Sequence, residues 1–162
     1  MIKNAIEYRR TVETADADRV RSIVESSGYF NAEEIEVAVE LVSERLSKGT
    51  ASGYFFIFAD TEESTIAYAC FGPIPGTSCS FDLYWIAVDS DFRGKGIGKG
   101  LLFQVEESIR EMDGSRIYVE TSSRDQYEST RAFYRNNAYV LEASLEDFYA
   151  PGDSKHVYLK VL

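Results

Sequence analysis

The stretch IAVDSDFRGKGIGKGLLFQV, residues 86–105, decides how the rest of the chain is read. An apolar run breaks into a polar turn that carries Gly94, Gly96, Gly98 and Gly100, and apolar residues then resume at helical spacing. Glycine costs about 1 kcal/mol against alanine inside a helix. Glycines this dense at a strand-to-helix junction therefore imply a backbone kept bare so that something can approach it. Arg93, Lys95 and Lys99 sit on the same turn. A helix start presents free N–H groups and the positive end of the helix dipole, so the stretch reads as a phosphate-binding turn.

Two common phosphate motifs do not fit. The dinucleotide pattern G-x-G-x-x-G, started at Gly94 or Gly96, ends on Lys99 or Leu101. The P-loop needs its leading glycine where Asp89 and Arg93 stand, and neither Lys95 nor Lys99 is followed by Ser or Thr. The pattern that fits is R-x-x-G-x-G, as Arg93, Gly96 and Gly98.

The remaining sequence places this turn in one α/β domain spanning residues 1–162, with no repeat, low-complexity tract or linker to divide it. Alternation in IEYRRTV (residues 6–12) predicts a first strand. A helix follows, capped by Thr14 or Asp16, with Val20, Ile23 and Val24 on its apolar face and Gly28 at its end. Asn31 is expected to cap a second helix with Ile35, Val39, Val42 and Leu46 on one face, closed by Gly49. GYFFIFAD, TIAYACFG and FDLYWIAV read as three strands. The helix after the glycine turn carries Leu101, Leu102, Val105, Ile109 and Met112 and is stopped by Gly114. RIYVETS is a strand, ESTRAFYRNNAY a short helix, and YVLEASL and KHVYLKV a closing pair. The order is β-α-α-β-β-β-α-β-α-β-β, a central mixed, mostly antiparallel sheet flanked by helices.

Composition removes several classes of function. Seventeen basic residues against 27 acidic give a net charge of −10, which argues against nucleic-acid binding and suits a cationic partner. No apolar run approaches the ~20 residues needed to cross a bilayer, and MIKNAIEYRR lacks the apolar segment of a signal peptide, so a cytoplasmic location is expected. Cys70 and Cys79 have no metal-ligand spacing and read as structural thiols. His156, the single histidine, reads as structural; with no cysteine cluster, a metal site is not expected.

In its glycine turn the chain resembles the GNAT N-acetyltransferase superfamily, whose acyl-CoA signature is a strand ending in A-V, an Arg or Gln, and then G-x-G. YVETSS and TRAFYRNNAY resemble the family's next core strand and its A-x-x-[LF]-Y-E-x-x-G-F helix, and the element order matches. The resemblance implies that the N–H groups of Arg93, Gly94, Lys95, Gly96, Ile97, Gly98 and Lys99 wrap the pyrophosphate of acetyl-CoA. Ile86, Ala87 and Val88 would pair with the pantetheine arm and supply an N–H to the thioester carbonyl.

Tyr134 stands at the family's helix tyrosine and would protonate the leaving thiolate. Glu120 is the candidate base: Tyr118, Glu120 and Ser122 share one face of their strand, Ile117, Val119 and Thr121 the other. It resembles the acidic residue of the RimI-like N-terminal acetyltransferases; the other reading is a solvated carboxylate on an open face. Asp82 and Tyr84 are further candidates for aligning the acceptor. Three features depart from the pattern: a loop about two residues longer before the Tyr134 helix, Tyr127 in place of an asparagine, and Ala138–Tyr139 for G-F.

Tyr29 and Phe30 beside Glu33, Glu34 and Glu36 offer a candidate surface for a cationic amine; the bland reading is a solvated acidic helix face. The reaction implied is transfer from acetyl-CoA to a primary amine, either a protein N-terminus or a small cationic amine. The competing class is a non-catalytic acyl-CoA sensor with the same fold. The 14% aromatic content allows an exposed sticky edge and, with the pairing common among related folds, points to a homodimer.

Overall fold

The computed structural model describes residues 5–162. The elements are β1 (Glu7–Arg9), α1 (Asp16–Ser27), α2 (Ala32–Lys48), β2 (Phe55–Asp60), β3 (Thr65–Pro73), β4 (Ser80–Val88), α3 (Ile97–Glu111), β5 (Arg116–Ser122), α4 (Glu128–Asn136), β6 (Val140–Ala150) and β7 (Asp153–Val161), with short 3-10 turns before β2, α3 and α4. This is the order read from the sequence. The strands form one seven-stranded sheet, β1-β2-β3-β4-β5-β7-β6. β4 and β5 pair in parallel, while β1–β2, β2–β3, β5–β7 and β6–β7 are antiparallel. Among the described residues no helix is long and apolar enough to cross a membrane.

The chain divides into two compact units, Met1–Gly72 with Trp85–Ser108, and Pro73–Tyr84 with Ile109–Leu162. In the first, Val20, Ile23 and Val24 of α1 and Ala38 and Val42 of α2 close over Phe56, Phe58, Tyr68 and Cys70 of β2 and β3. β1 is shorter than its alternation suggests, because its ladder to β2 spans only Glu7↔Asp60 to Arg9↔Phe58. Arg9 instead leaves the strand sideways. Its guanidinium meets Asp16 at 2.8 Å and Asp60 at 2.7 Å and lies over the Phe58 ring, tying α1 to the sheet.

Several helix ends differ from expectation. The α1 N-cap is Ala15, with no side-chain cap; Asp16 instead accepts from the Glu13 N–H inside the Arg9 cluster. Asn31 does cap α2, in a reciprocal capping box with Glu34. On α2 the buried residues are Ala38 and Val42, while Leu46 faces solvent. α3 stops at Glu111, before Met112, and Asp113 rather than Gly114 takes the left-handed conformation, at φ 59°. Gly114 is needed for closeness: a Cβ there would stand 2.5 Å from Phe81 Cε2 and against Ile109.

In the second unit, β5 alternates as read from the sequence. Ile117, Val119 and Thr121 are buried, and Tyr118, Glu120 and Ser122 are not. Ile117 and Val119 meet Lys160 and Tyr158 of β7 in register, on the face where Tyr134 of α4 stacks against Tyr158. β6 is exposed along its whole length.

Candidate active site

The glycine turn lies in the first unit. Val88 ends β4, a 3-10 turn at Ser90–Phe92 follows, and α3 begins at Ile97. Gly94 and Gly96 hold φ of 73° and 79°, a conformation that is costly for any side chain with a Cβ. The remaining glycines do not all serve the same end. The Gly100 N–H already donates to the Gly96 carbonyl at 3.1 Å, and a Cβ on Gly100 would strike the Tyr8 hydroxyl. Gly100 is therefore a packing glycine, where the sequence alone grouped all four with the ligand. Ile97 buries its side chain and can offer only its N–H.

The start of α3 differs in charge from the other helix starts. α1, α2 and α4 carry acidic residues in their first turns and α3 carries none. The cations are Arg93, stacked at 5.5 Å over the Tyr29 ring, Lys95, folded over Phe92, and Lys99. Residues 93–96 are exposed. On β4 itself, the parallel ladder to β5 covers Ser80↔Arg116 to Asp82↔Tyr118, so Ile86, Ala87 and Val88 lie beyond it. This bare, cation-flanked helix start fits a pyrophosphate.

In the second unit, Arg131 and Tyr134 lie one turn apart on α4 and are both buried. Arg131 donates to the carbonyls of Ser122 (2.6 Å) and Arg124 (3.0 Å) and to Glu128, locking the start of α4 to the segment after β5. That lock sets where Tyr134 lies, with Tyr139 edge-on at 5.5 Å and Tyr158 stacked at 6.3 Å. Burial pushes the Tyr134 phenol well above its ordinary pKa, so it holds its proton at neutral pH. Ala138 keeps the left-handed φ (68°) that the family's glycine would take, and Tyr139 is the buried anchor after it.

Glu120 shares its open face with Asp82 and Tyr118, brought level by the β4–β5 register. It is half-exposed, and Lys155 of β7 reaches it at 2.7 Å. Lys155 also lies over the Phe148 ring at 4.4 Å. Burial, then the charge of Glu120, push the Asp82 carboxyl up, and Lys155 opposes them. The sequence reading missed Lys155. Alternation along KHVYLKV sets its face, but only the Ser122↔Lys155 register places it beside Glu120.

Much of the aromatic–acidic patch at residues 29–36 is engaged within the chain, which the sequence reading did not anticipate. Glu34 closes the α2 capping box, Glu36 takes a bidentate ion pair from Arg21, Phe30 packs on Trp85, and Arg93 covers Tyr29. His156 Nδ1 and Thr121 Oγ1, opposite each other across β5–β7, are buried without hydrogen-bond partners. Cys70 and Cys79 are free thiols, and no group of three or more potential metal-ligating side chains occurs among the described residues.

The Acetyltransferase (GNAT) family profile matches residues 18–139, and the chain belongs to that family. A GNAT-family protein from Desulfovibrio desulfuricans has a crystal structure that superposes with a TM-score of 0.96 at 43% identity, covering 97% of this chain and 99% of that one. The fold is shared at 16% identity with the ribosomal-protein-S18-alanine N-acetyltransferase from Escherichia coli (TM-score 0.75, 97% and 94% covered). It is shared, also at 16%, with an aminoglycoside 6'-N-acetyltransferase solved with coenzyme A (TM-score 0.75, 97% and 96% covered). No curated protein matches the sequence.

Proposed function

We propose that this chain is an acetyl-CoA-dependent N-acetyltransferase that transfers acetyl directly to a primary amine, either a protein N-terminus or a small cationic amine. The observation that carries the reading is the turn into α3, where Gly94 and Gly96 take left-handed conformations and the first turn of the helix carries no acidic residue. There the N–H groups of residues 93–99 bind the pyrophosphate, assisted by Arg93, Lys95 and Lys99. Ile86, Ala87 and Val88 pair through the β4 backbone with the pantetheine amides, and an N–H from this run polarises the carbonyl. Bound acetyl-CoA supplies the activated acetyl group. Glu120 takes the proton that the acceptor ammonium must lose, directly or through water, and the buried, protonated Tyr134 gives one to the departing sulfur.

The test is calorimetric titration of acetyl-CoA into the wild type, Gly96→Asp and Tyr134→Phe, with a free-thiol assay across an amine panel. The wild type is expected to bind in the micromolar range. Gly96→Asp should lose binding, because an acid at φ 79° both strains the turn and repels phosphate. Tyr134→Phe should bind normally and turn over about 10²–10⁴-fold more slowly. No binding by the wild type overturns the proposal, and binding without turnover on any amine moves the chain to the sensor class.

A further inference from the structure

We infer that β6 is a pairing edge for a second copy of this chain, joined antiparallel across a two-fold axis in the stretch Val140–Leu145. β6 is outermost in the sheet, so only one of its edges is paired, with β7. All eleven of its residues, Val140–Ala150, are exposed. A strand of a sheet covered on one face should bury alternate side chains, and this one buries none. Of the eleven exposed large apolar residues among the described residues, six gather here: Val140, Leu141, Leu145, Phe148 and Tyr149 on β6, and Val161 on the neighbouring β7. They range from 41% to 61% exposed.

The patch is large enough for a stable dimer. At those exposures the six residues present on the order of 600 Å², and the polar residues between them carry it past the roughly 800 Å² per partner of a standard interface. It is also two-sided. Register with β7 puts Val140 and Leu145 on the face of Leu159 and Lys155, and Leu141 and Ser144 on the face of Tyr158 and His156, where α4 packs. A helix or loop could cover only one of those faces, whereas a strand laid along the edge meets both. An antiparallel copy that sets Val140 opposite the partner's Leu145 also sets Leu141 opposite the partner's Ser144, so each face meets its like. Glu142 then stands opposite Ala143, and no acid opposes another. The devices that blunt a sheet edge are fewest in this half, with one acid and one register shift. Beyond Leu145 come two acids, a left-handed Asp147 (φ 53°) and a second shift. A single acid gives a cationic peptide little to recognise, which favours the second copy. Each copy carries a net charge of −10, so apolar contact and backbone hydrogen bonds must hold the pair, and salt should tighten it by screening the repulsion.

The experiment is sedimentation equilibrium on the full chain at rising protein concentration and at two salt concentrations, with hydrogen exchange read along β6. The wild type is expected at twice the 18.3 kDa of one chain, with the outward amides of Val140–Leu145 protected only at concentrations where it is dimeric. Leu141→Lys and Leu145→Lys should each weaken the dimer at least about tenfold, and added salt should strengthen the wild-type pair. Leu46→Lys, the same change at an exposed leucine of α2, should leave it intact. Thermal melts check that each variant is folded. A wild type that stays monomeric across the range overturns the inference. So does a dimer that survives in the folded Leu141→Lys, Leu145→Lys double variant, that leaves the β6 amides unprotected, or that salt dissociates.

Discussion

Gly100 tests whether the glycines of the turn have been sorted correctly. The perturbation is Gly100→Ala, made alone and together with Tyr8→Phe. In the wild-type background two effects oppose each other. Alanine gains about 1 kcal/mol of helix propensity. Its Cβ, however, lands inside contact distance of the Tyr8 hydroxyl, so the phenol must retreat by roughly an ångström, at an overpacking cost of about 1–3 kcal/mol. The clash should win by about 1 kcal/mol, or roughly 2–4 °C in Tm for a domain of this size. With Tyr8→Phe the hydroxyl is gone and the nearest atom is the ring carbon Cζ, 3.1 Å from the Cβ position. That contact needs a shift of only a few tenths of an ångström, so the helix gain should prevail and Gly100→Ala becomes neutral or slightly stabilising. Urea denaturation of the four proteins gives a coupling energy, expected at about 1–2 kcal/mol. Titration of acetyl-CoA into Tyr8→Phe and the double variant should give the same affinity, because the Gly100 N–H is already bonded within the helix. Equal destabilisation in both backgrounds would refute the packing assignment. Loss of acetyl-CoA affinity specific to the rescued double variant would return Gly100 to the ligand.

Asp16 is fully buried. Desolvation alone would raise its carboxyl pKa, but hydrogen bonds from Arg9, the Glu13 N–H and Arg19 outweigh burial and hold it below the ordinary value. Asp16→Asn should cost about 3 kcal/mol. The wild type should hold the stability of this cluster above the unfolded carboxylate pKa and lose it as pH falls toward the depressed folded value. The variant's denaturation midpoints should be flatter across that acid range, and parallel pH profiles would refute the assignment. Tyr68 is completely buried with an unpartnered hydroxyl, so Tyr68→Phe should be neutral or stabilise the protein by about 1 kcal/mol in urea. A loss of that size would mean that the hydroxyl has a partner.

The element order was fully legible because each segment shows its period and its breakers. Runs such as FFIFAD and the Leu101–Leu102–Val105–Ile109 face admit one reading apiece. The strand-to-helix glycine turn was legible for the same reason, being local. What escaped lay in contacts between distant residues. Tyr8 and Gly100 meet across 92 positions of sequence, so the glycine count alone assigned Gly100 to the ligand. Glu36 was offered to a substrate because its partner Arg21 stands on another helix. Glu34 is different: Asn31-x-x-Glu34 is a capping box in plain sequence, and that signal was available. Lys155 needed the β5–β7 register, which no single strand specifies.

The placement of acidic residues is the most instructive feature of a chain with net charge −10. α1 starts with Asp16 and Asp18, α2 with Glu33 and Glu34, and α4 with Glu128. An acid in a first turn is worth about 0.3–1 kcal/mol through the helix dipole. α3 forgoes that gain although acidic residues abound elsewhere, and it surrounds its start with Arg93, Lys95 and Lys99. It also has Gly96 immediately before it, where a capping side chain would otherwise sit. Each omission alone costs little. Together they leave the start of α3 without the first-turn acid that α1, α2 and α4 carry, which is the condition that favours an external phosphate there.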